Sequence, residues 1–322
     1  MISGIDGRRP ASSDGAGPVV VGSASRDVAA ADPRGWRLGG AVTYAGLALA
    51  RLGLGPRILM GIDPEAAAAE ELELLRRAGA DLRLVPLARG PVFDNREVGG
   101  LREQHCLEPG DPLPVAAIPP ALRGAGDWVL VPVAGELADA WADVPGASAR
   151  VAVGWQGLLR DLPRGGPVER RLPGASPLLG RADLIVVSRL DFDPETRIGD
   201  LGAFLRDGAT LVVTDGAAGG EVWRVEGGLA RGAVHYDAIA ARGLVDGTGA
   251  GDAFLAGLVA ARMGHPLASV APRGASSPPG PPGAGLQLAA AIGSLTVEDL
   301  GVRGVPSLAA VEERLRASLR PG

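Results

Sequence analysis

A three-layer α/β fold with a mostly parallel central sheet is what this sequence predicts, and three observations predict it. Short apolar runs alternate with helix-patterned stretches from Val19 to Leu319, as strands joined by crossover helices do. The runs are continuously apolar, like strands buried on both faces. A chain of 322 residues, 46% hydrophobic and 21% charged, fits one large domain with a small appendage.

Each element can be taken in order. Pro18-Val19-Val20-Val21-Gly22 reads as the first strand, and Ser23 to Asp27 as a strand-end loop. Ligands of open parallel sheets gather beyond the carboxyl ends of strands. Asp27 therefore either accepts hydrogen bonds from substrate hydroxyls or caps a turn. Gly39-Gly40 precedes a helical pattern that Gly53 stops. Arg57 to Gly61 is a second strand. Asp63-Pro64 opens a helix through Ala78-Gly79, with Pro and acidic residues in its first turn. Asp81 to Val85 is the next strand. Phe93 to Gln104 is polar and interrupted by Gly99-Gly100. It reads as a lid hairpin with Phe93, Asn95, Arg96, Arg102 and Gln104 exposed, or as a surface loop. The short stretch from Asp27 to Gly39 leaves room for a reduced lid only, built from about residues 27–38 and 90–106.

Trp128 to Pro132, Arg150 to Gly154, Asp183 to Val187 and Thr210 to Thr214 continue the sheet, and Gly135-Glu136-Leu137 begins a helix. Gln156 and Arg160 lie just beyond the strand ending at Gly154, where polar groups reach a ligand. Glu221 to Val225 and Gly232 to Tyr236 form an edge hairpin around Gly227-Gly228. Residues 271–285 are rich in Pro, Gly and Ser and predict a mobile loop. Leu286 to Val297 and Ser307 to Leu319 are helices, with Ser307 as N-cap. There is no internal repeat.

Composition excludes several functions. Net charge is −5 and the sequence pI about 5.4, which argues against a general nucleic-acid or anionic-membrane surface. All 32 strongly basic residues are Arg and none is Lys. A Walker phosphate loop and a protein-kinase site both need a lysine, so both are excluded. Cys106 is the lone cysteine, which leaves no intrachain disulfide and no Cys-based zinc site. No apolar run reaches the length of a membrane span. Residues 1–17 read as a disordered extension without the apolar core of a secretion signal, and a cytoplasmic protein is expected.

Leu244 to Phe254 carries the chemistry. A glycine turn leads at once into a helix of roughly Gly251 to Met263. The first amides of a helix lack internal partners, and the dipole adds positive charge there. Gly249, Ala250 and Gly251 thus form a candidate anion site. Asp252 sets a carboxylate beside it, either as a proton acceptor for an attacking hydroxyl or as an ordinary helix-start acid.

Asp246-Gly247-Thr248-Gly249-Ala250-Gly251-Asp252-Ala253-Phe254 resembles the C-terminal signature of the ribokinase-like (PfkB-type) carbohydrate kinases. Gly39-Gly40 and Arg51-Leu52-Gly53 resemble the first signature, and Gln156-Gly157-Leu158-Leu159-Arg160 is similar to a segment of an inositol-kinase-like branch. The resemblance implies a ribokinase-like α/β/α sandwich with a lid, using ATP and magnesium. It implies that Asp252 is the general base, kept ionised near neutral pH, with Gly249, Ala250 and Gly251 as the anion hole. Asp27, Gly39, Gly40, Asn95, Arg102, Gln156 and Arg160 would face the acceptor. Ser188, Thr214, Gly216, Gly219 and Thr248 would line the nucleotide, and Asp191 would hold the metal through water. Three positions depart from the family pattern. Tyr44 stands where Asn is common, and Ser188 and Asp191 stand where Asn-x-x-Glu is usual. The expected activity is ATP-dependent phosphorylation of a hydroxyl on a sugar, polyol or cyclitol, by a monomer or homodimer with no nucleic-acid or membrane partner. A nucleoside kinase and a catalytically silent regulatory protein of the same fold are the alternatives.

Overall fold

The computed structural model describes residues 17–98, 101–269 and 283–318. Residues 1–16 and most of the expected 271–285 loop lie outside the described residues. The chain enters through β1 (Val19–Ser23), then forms β2 (Ser25–Val28), β3 (Trp36–Gly39) and α1 (Ala41–Arg51). β4 (Arg57–Ile62), α2 (Leu72–Arg77), β5 (Asp81–Pro86), β6 (Val92–Val98) and β7 (Leu101–Glu108) follow. β8 (Asp127–Leu130) and β9 (Arg150–Gly154) precede three two-residue strands, β10 (Arg160–Asp161), β11 (Gly166–Pro167) and β12 (Glu169–Arg170). Next come α3 (Pro177–Arg181), β13 (Leu184–Ser188), β14 (Thr210–Thr214), β15 (Gly220–Glu226) and β16 (Leu229–Tyr236). α4 (Ala250–Arg262), α5 (Gly283–Thr296) and α6 (Leu308–Ser318) close the chain.

Nine strands form the central sheet in the order β16-β15-β14-β13-β9-β8-β1-β4-β5. Pairing is parallel from β14 to β5, whereas β15 runs antiparallel to both of its neighbours, β14 and β16. The side chains divide by strand period. Val20, Ile58, Met60, Val129, Ala152 and Val212 pack under α1, α4 and α5. Val19, Val21, Leu59, Leu130, Val153 and Leu211 pack on the other face with Trp141 and α3. The two apolar layers make the sheet a wall buried on both sides, which the continuous Val/Leu runs anticipate. On the first face, α4 and α5 approach so closely at Gly257 that a Cβ there would lie 2.6 Å from the Ala289 Cα.

A second sheet, ordered β11-β7-β6-β2-β3, stands at the carboxyl ends of the parallel strands. It contains segments 27–38 and 90–106 expected of the lid, with more strands than the sequence suggests. Ser25 to Val28 extends as a strand rather than a loop, and β11 joins β7 from a distant part of the chain.

Two expected helices are replaced. Between Asp63 and Gly79 there is a 3-10 turn at Ala66–Ala68, an extended Ala69, and only then α2. The Asp63 carboxylate accepts the Ala66 N–H at 2.8 Å, and Glu71 is drawn to Arg34 of the lid. Near Gly135, no helix starts; Glu136 turns inward instead and only a 3-10 turn at Asp139–Asp143 follows.

Candidate functional site

The anion turn has the predicted form. Gly249 caps α4 in the left-handed region, at φ 77°, a conformation glycine adopts without steric cost. Its carbonyl accepts the Ala253 N–H at 2.9 Å. No side chain caps the helix start, so the amides of Ala250 and Gly251 are available to a ligand. The loop is tied from behind by Asp246. One of its oxygens accepts the Thr248 N–H at 2.9 Å and the other the Gly301 N–H at 3.1 Å.

Asp252 lies in the first turn of α4 and is partly exposed. Around it gather Arg160 and Asp191, which act on it electrostatically. Burial pushes the Asp252 carboxyl up to about 7, with Arg160 pulling it down and Asp191 pushing it further up. This corrects the expectation that the helix start keeps it ionised at neutral pH. Removal from water outweighs the favourable dipole.

Asp191 is held in place rather than free. It accepts from Gln156 Nε2 at 3.2 Å and from the Ser188 N–H at 3.3 Å, and Arg160 Nη2 stands 4.0 Å away. Ser188 Oγ in turn accepts the Leu190 N–H at 3.2 Å, completing a reciprocal cap of the short 3-10 turn after β13. The Ser188/Asp191 departure is therefore a self-consistent pair. Among the described residues no cluster of three or more metal-ligating side chains occurs. A magnesium ion held mainly by donor phosphates and water, with one carboxylate nearby, fits this donor set.

On the lid side, Asp27 accepts from Ser25 Oγ at 2.9 Å and presses against Gly39. A Cβ on Gly39 would lie 2.3 Å from the Asp27 Oδ2. Gly40 caps α1 at φ 91°, and a Cβ there would strike the Ser23 carbonyl at 2.5 Å. Asn95 Oδ1 accepts from Gln104 Nε2 at 2.9 Å across β6 and β7. The backbone of Arg102 pairs with that of Glu97; its side chain lies outside the described residues. Phe93, expected to be exposed, is 1% exposed and packs with Cys106 and Val133. Its cross-strand partner is Asp27, so this face of the lid seals onto the body next to the acceptor side.

On the donor side, Ser188 and Thr214 are register partners at the ends of β13 and β14. Thr214 Oγ1 lies 3.4 Å from the Val187 carbonyl. Gly216 opens the turn after β14 at φ 53°. Gly219 sits where a Cβ would meet the Tyr236 carbonyl at 2.0 Å. Tyr236 stacks on Phe254 of α4, with ring centroids 5.6 Å apart. The turn after β14 is thus fastened to α4.

Three site-building residues escaped the sequence reading. Tyr44 was noticed as a departure, and its role comes from the fold: it is 2% exposed and lies beneath Gly249. Asp246 ties the turn to Gly301. Glu136 is 3% exposed, and its carboxylate accepts from the backbone of Ser23 at 2.8 Å, Val133 at 3.0 Å and Ala134 at 2.9 Å. It joins the end of β1 to the segment that follows β8. Desolvation pushes its pKa up, against those three hydrogen bonds. No periodicity marks such a residue, because it links the distant Ser23 amide to the amides of its own turn.

Residues 182–308 match the family model described as pfkB family carbohydrate kinase. The whole fold is similar to solved structures at low identity. One is a pyrophosphate-dependent kinase in the ribokinase family, complexed with a pyrophosphate analogue and myo-inositol. It has a TM-score of 0.67 and 19% identity, over 93% of this chain and 99% of that one. Ribokinase from Thermotoga maritima has a TM-score of 0.64 and 14% identity, over 93% and 99%. Ribokinase from Arabidopsis thaliana, complexed with ribose and ATP, has a TM-score of 0.64 and 17% identity, over 94% and 99%. No curated protein matches the sequence of this chain.

Proposed function

We propose that this chain is a ribokinase-like (PfkB-type) carbohydrate kinase, as the match of residues 182–308 to that family model supports, and that it phosphorylates a hydroxyl of a small polyol, sugar or cyclitol. The observation that carries the reading is the convergence of Asp252, Arg160 and Asp191 beside the open amides of Ala250 and Gly251. A carboxyl poised at about 7 is matched to taking a proton from an alcohol near neutral pH. As Asp252 removes that proton, the alkoxide attacks the terminal phosphorus of the donor and the bond to the leaving phosphate breaks. The amides of the turn and the Arg160 guanidinium receive the charge on the transferred group. Magnesium, when bound, neutralises donor phosphates. Asp27, Gly39, Gly40, Asn95 and Gln156 orient the acceptor, with Arg102 on the lid hairpin. The Ser188, Thr214, Gly216, Gly219 and Thr248 positions border the donor.

The nucleoside-kinase alternative finds little support in the aromatic residues. Phe93 and Tyr44 are both buried, and Trp36 carries the Arg26 and Arg34 guanidinium groups near its ring. None offers a free face for stacking a base.

ATP is the donor in this reading. Pyrophosphate is a second candidate, favoured by the likeness to a pyrophosphate-dependent kinase and by an anion site made of groups that recognise phosphate alone. The test is a matrix of acceptors (myo-inositol, ribose, other polyols, adenosine) against ATP and pyrophosphate, with and without magnesium. Phosphorylated polyol, lost in Asp252→Asn, is expected. Undiminished turnover in that variant, or no product from any pair, would sink the assignment.

A further inference from the structure

We propose that Tyr44 is a positioning residue of the anion site, which holds the Gly249 turn in shape for the donor and takes no part in binding the acceptor. The inference rests on the reading of that turn as the donor's phosphate site. Tyr44 lies one turn into α1, four residues after the cap Gly40, and its side chain is directed into the core. Its ring occupies the space that Gly249 leaves by having no side chain. A Cβ on Gly249 would lie 2.1 Å, 2.2 Å and 2.4 Å from the Tyr44 Cδ1, Cγ and Cε1 atoms.

The other end of the ring reaches a second glycine. A Cβ on Gly301 would lie 3.9 Å from the Tyr44 hydroxyl oxygen, and Gly301 has φ 56°. Asp246 closes the circuit, because its two oxygens hold the Thr248 and Gly301 amides. Tyr44 therefore fills the space under the Gly249 turn and stands near Gly301, and these are the two segments that Asp246 ties together. A turn with glycine at positions 247, 249 and 251 loses much backbone freedom on ordering. Electrostatic stabilisation of a transferring phosphoryl group needs its amides aimed in advance. The ring beneath the turn restricts it. The same burial withdraws the side chain from the acceptor cleft, so acceptor hydroxyls are met by residues such as Asp27, Asn95 and Gln156.

The experiment compares wild type, Tyr44→Phe and Tyr44→Leu by calorimetric titration with inorganic pyrophosphate and with a non-hydrolysable ATP analogue, and by steady-state kinetics. Tyr44→Leu is expected to weaken binding of the tighter probe at least tenfold and to lower kcat, with the acceptor KM within twofold. Tyr44→Phe keeps the ring and is expected to stay within twofold in probe affinity. Unchanged probe affinity in Tyr44→Leu, or a rise confined to the acceptor KM, overturns the inference. Should Tyr44→Leu fail to fold, the wild-type chain can be labelled with 3-fluorotyrosine. It has only two tyrosines, Tyr44 and Tyr236, and Tyr236→Phe assigns the resonances. Probe binding must shift the Tyr44 signal; a stationary signal overturns the inference. The two readings fail separately. Probe binding that depends on Tyr44 without turnover defeats the kinase assignment alone. Turnover with Tyr44-independent probe binding defeats only the positioning role.

Discussion

At the scale of single residues, Asp252 is where stability and chemistry oppose each other. Its pKa is raised from 3.8 to about 7 by burial first, with Asp191 adding to the rise and Arg160 opposing it. The base form is the active one. The kcat/KM profile is therefore expected to climb with pH and level off above a midpoint near 7. Flat activity between pH 5.5 and 8.5 would argue against Asp252 as base. The same shift has a thermodynamic sign. Between about pH 4 and 7 the folded chain holds a proton that the unfolded chain has released. Stability from this group is greatest below the unfolded value and is lost as pH rises through the folded one. Asp252→Asn removes the cost of the buried charge. Its Tm is expected to exceed that of wild type at pH 8 and to approach it at pH 5, while activity falls roughly 10²- to 10⁴-fold. Differential scanning at both pH values checks the pattern. Asp252 was legible from the glycine motif, but its charge state was not, because desolvation depends on neighbours from β10 and the turn after β13.

At the scale of elements, regular strands and the glycine-capped helix were legible and short irregular pieces were not. β1, β9 and β14 announce themselves because strands covered on both faces must be apolar throughout. The stretch from Asp63 to Gly79 has helix composition, yet side-chain contacts decide it: Asp63 caps Ala66 within the segment, and Glu71 pairs with Arg34 outside it. Glu136 behaves likewise, exchanging a helix start for three backbone amides. Local propensity cannot foresee such distant partners. The catalytic helix depends on close approach to α5. Gly257→Val would drive a side chain into Ala289, where even a Cβ would have only 2.6 Å. A loss of about 1–3 kcal/mol is expected from overpacking, read as a lower urea midpoint at constant m. An unchanged midpoint would mean that α5 yields easily.

At the scale of the molecule, the last helix is bound to the approach of the anion turn through one guanidinium. Arg314 of α6 is 6% exposed. It donates to the Ala240 carbonyl at 3.1 Å, to Ser294 Oγ at 2.6 Å, and to both Glu298 oxygens at 2.7 Å and 2.9 Å. Arg314→Ala is expected to cost about 3 kcal/mol and to reduce kcat, because residues 240–248 lose an anchor upstream of Gly249. Chemical denaturation together with initial rates checks both parts. The nine-strand architecture was readable from strand and helix order, and the lid from its polar hairpin. The recruitment of residues 166–167 to the lid was not, since a two-residue strand has no period to detect.

That recruited strand has a mechanical corollary. Gln156 and Arg160 stand beside Asp191, and only six residues after Arg160 the same peptide is stitched to β7 through Gly166 and Pro167. The second sheet and the charged cluster around Asp191 are therefore joined by a short leash. Displacement of β7 relative to the central sheet would pull on the segment that carries Arg160.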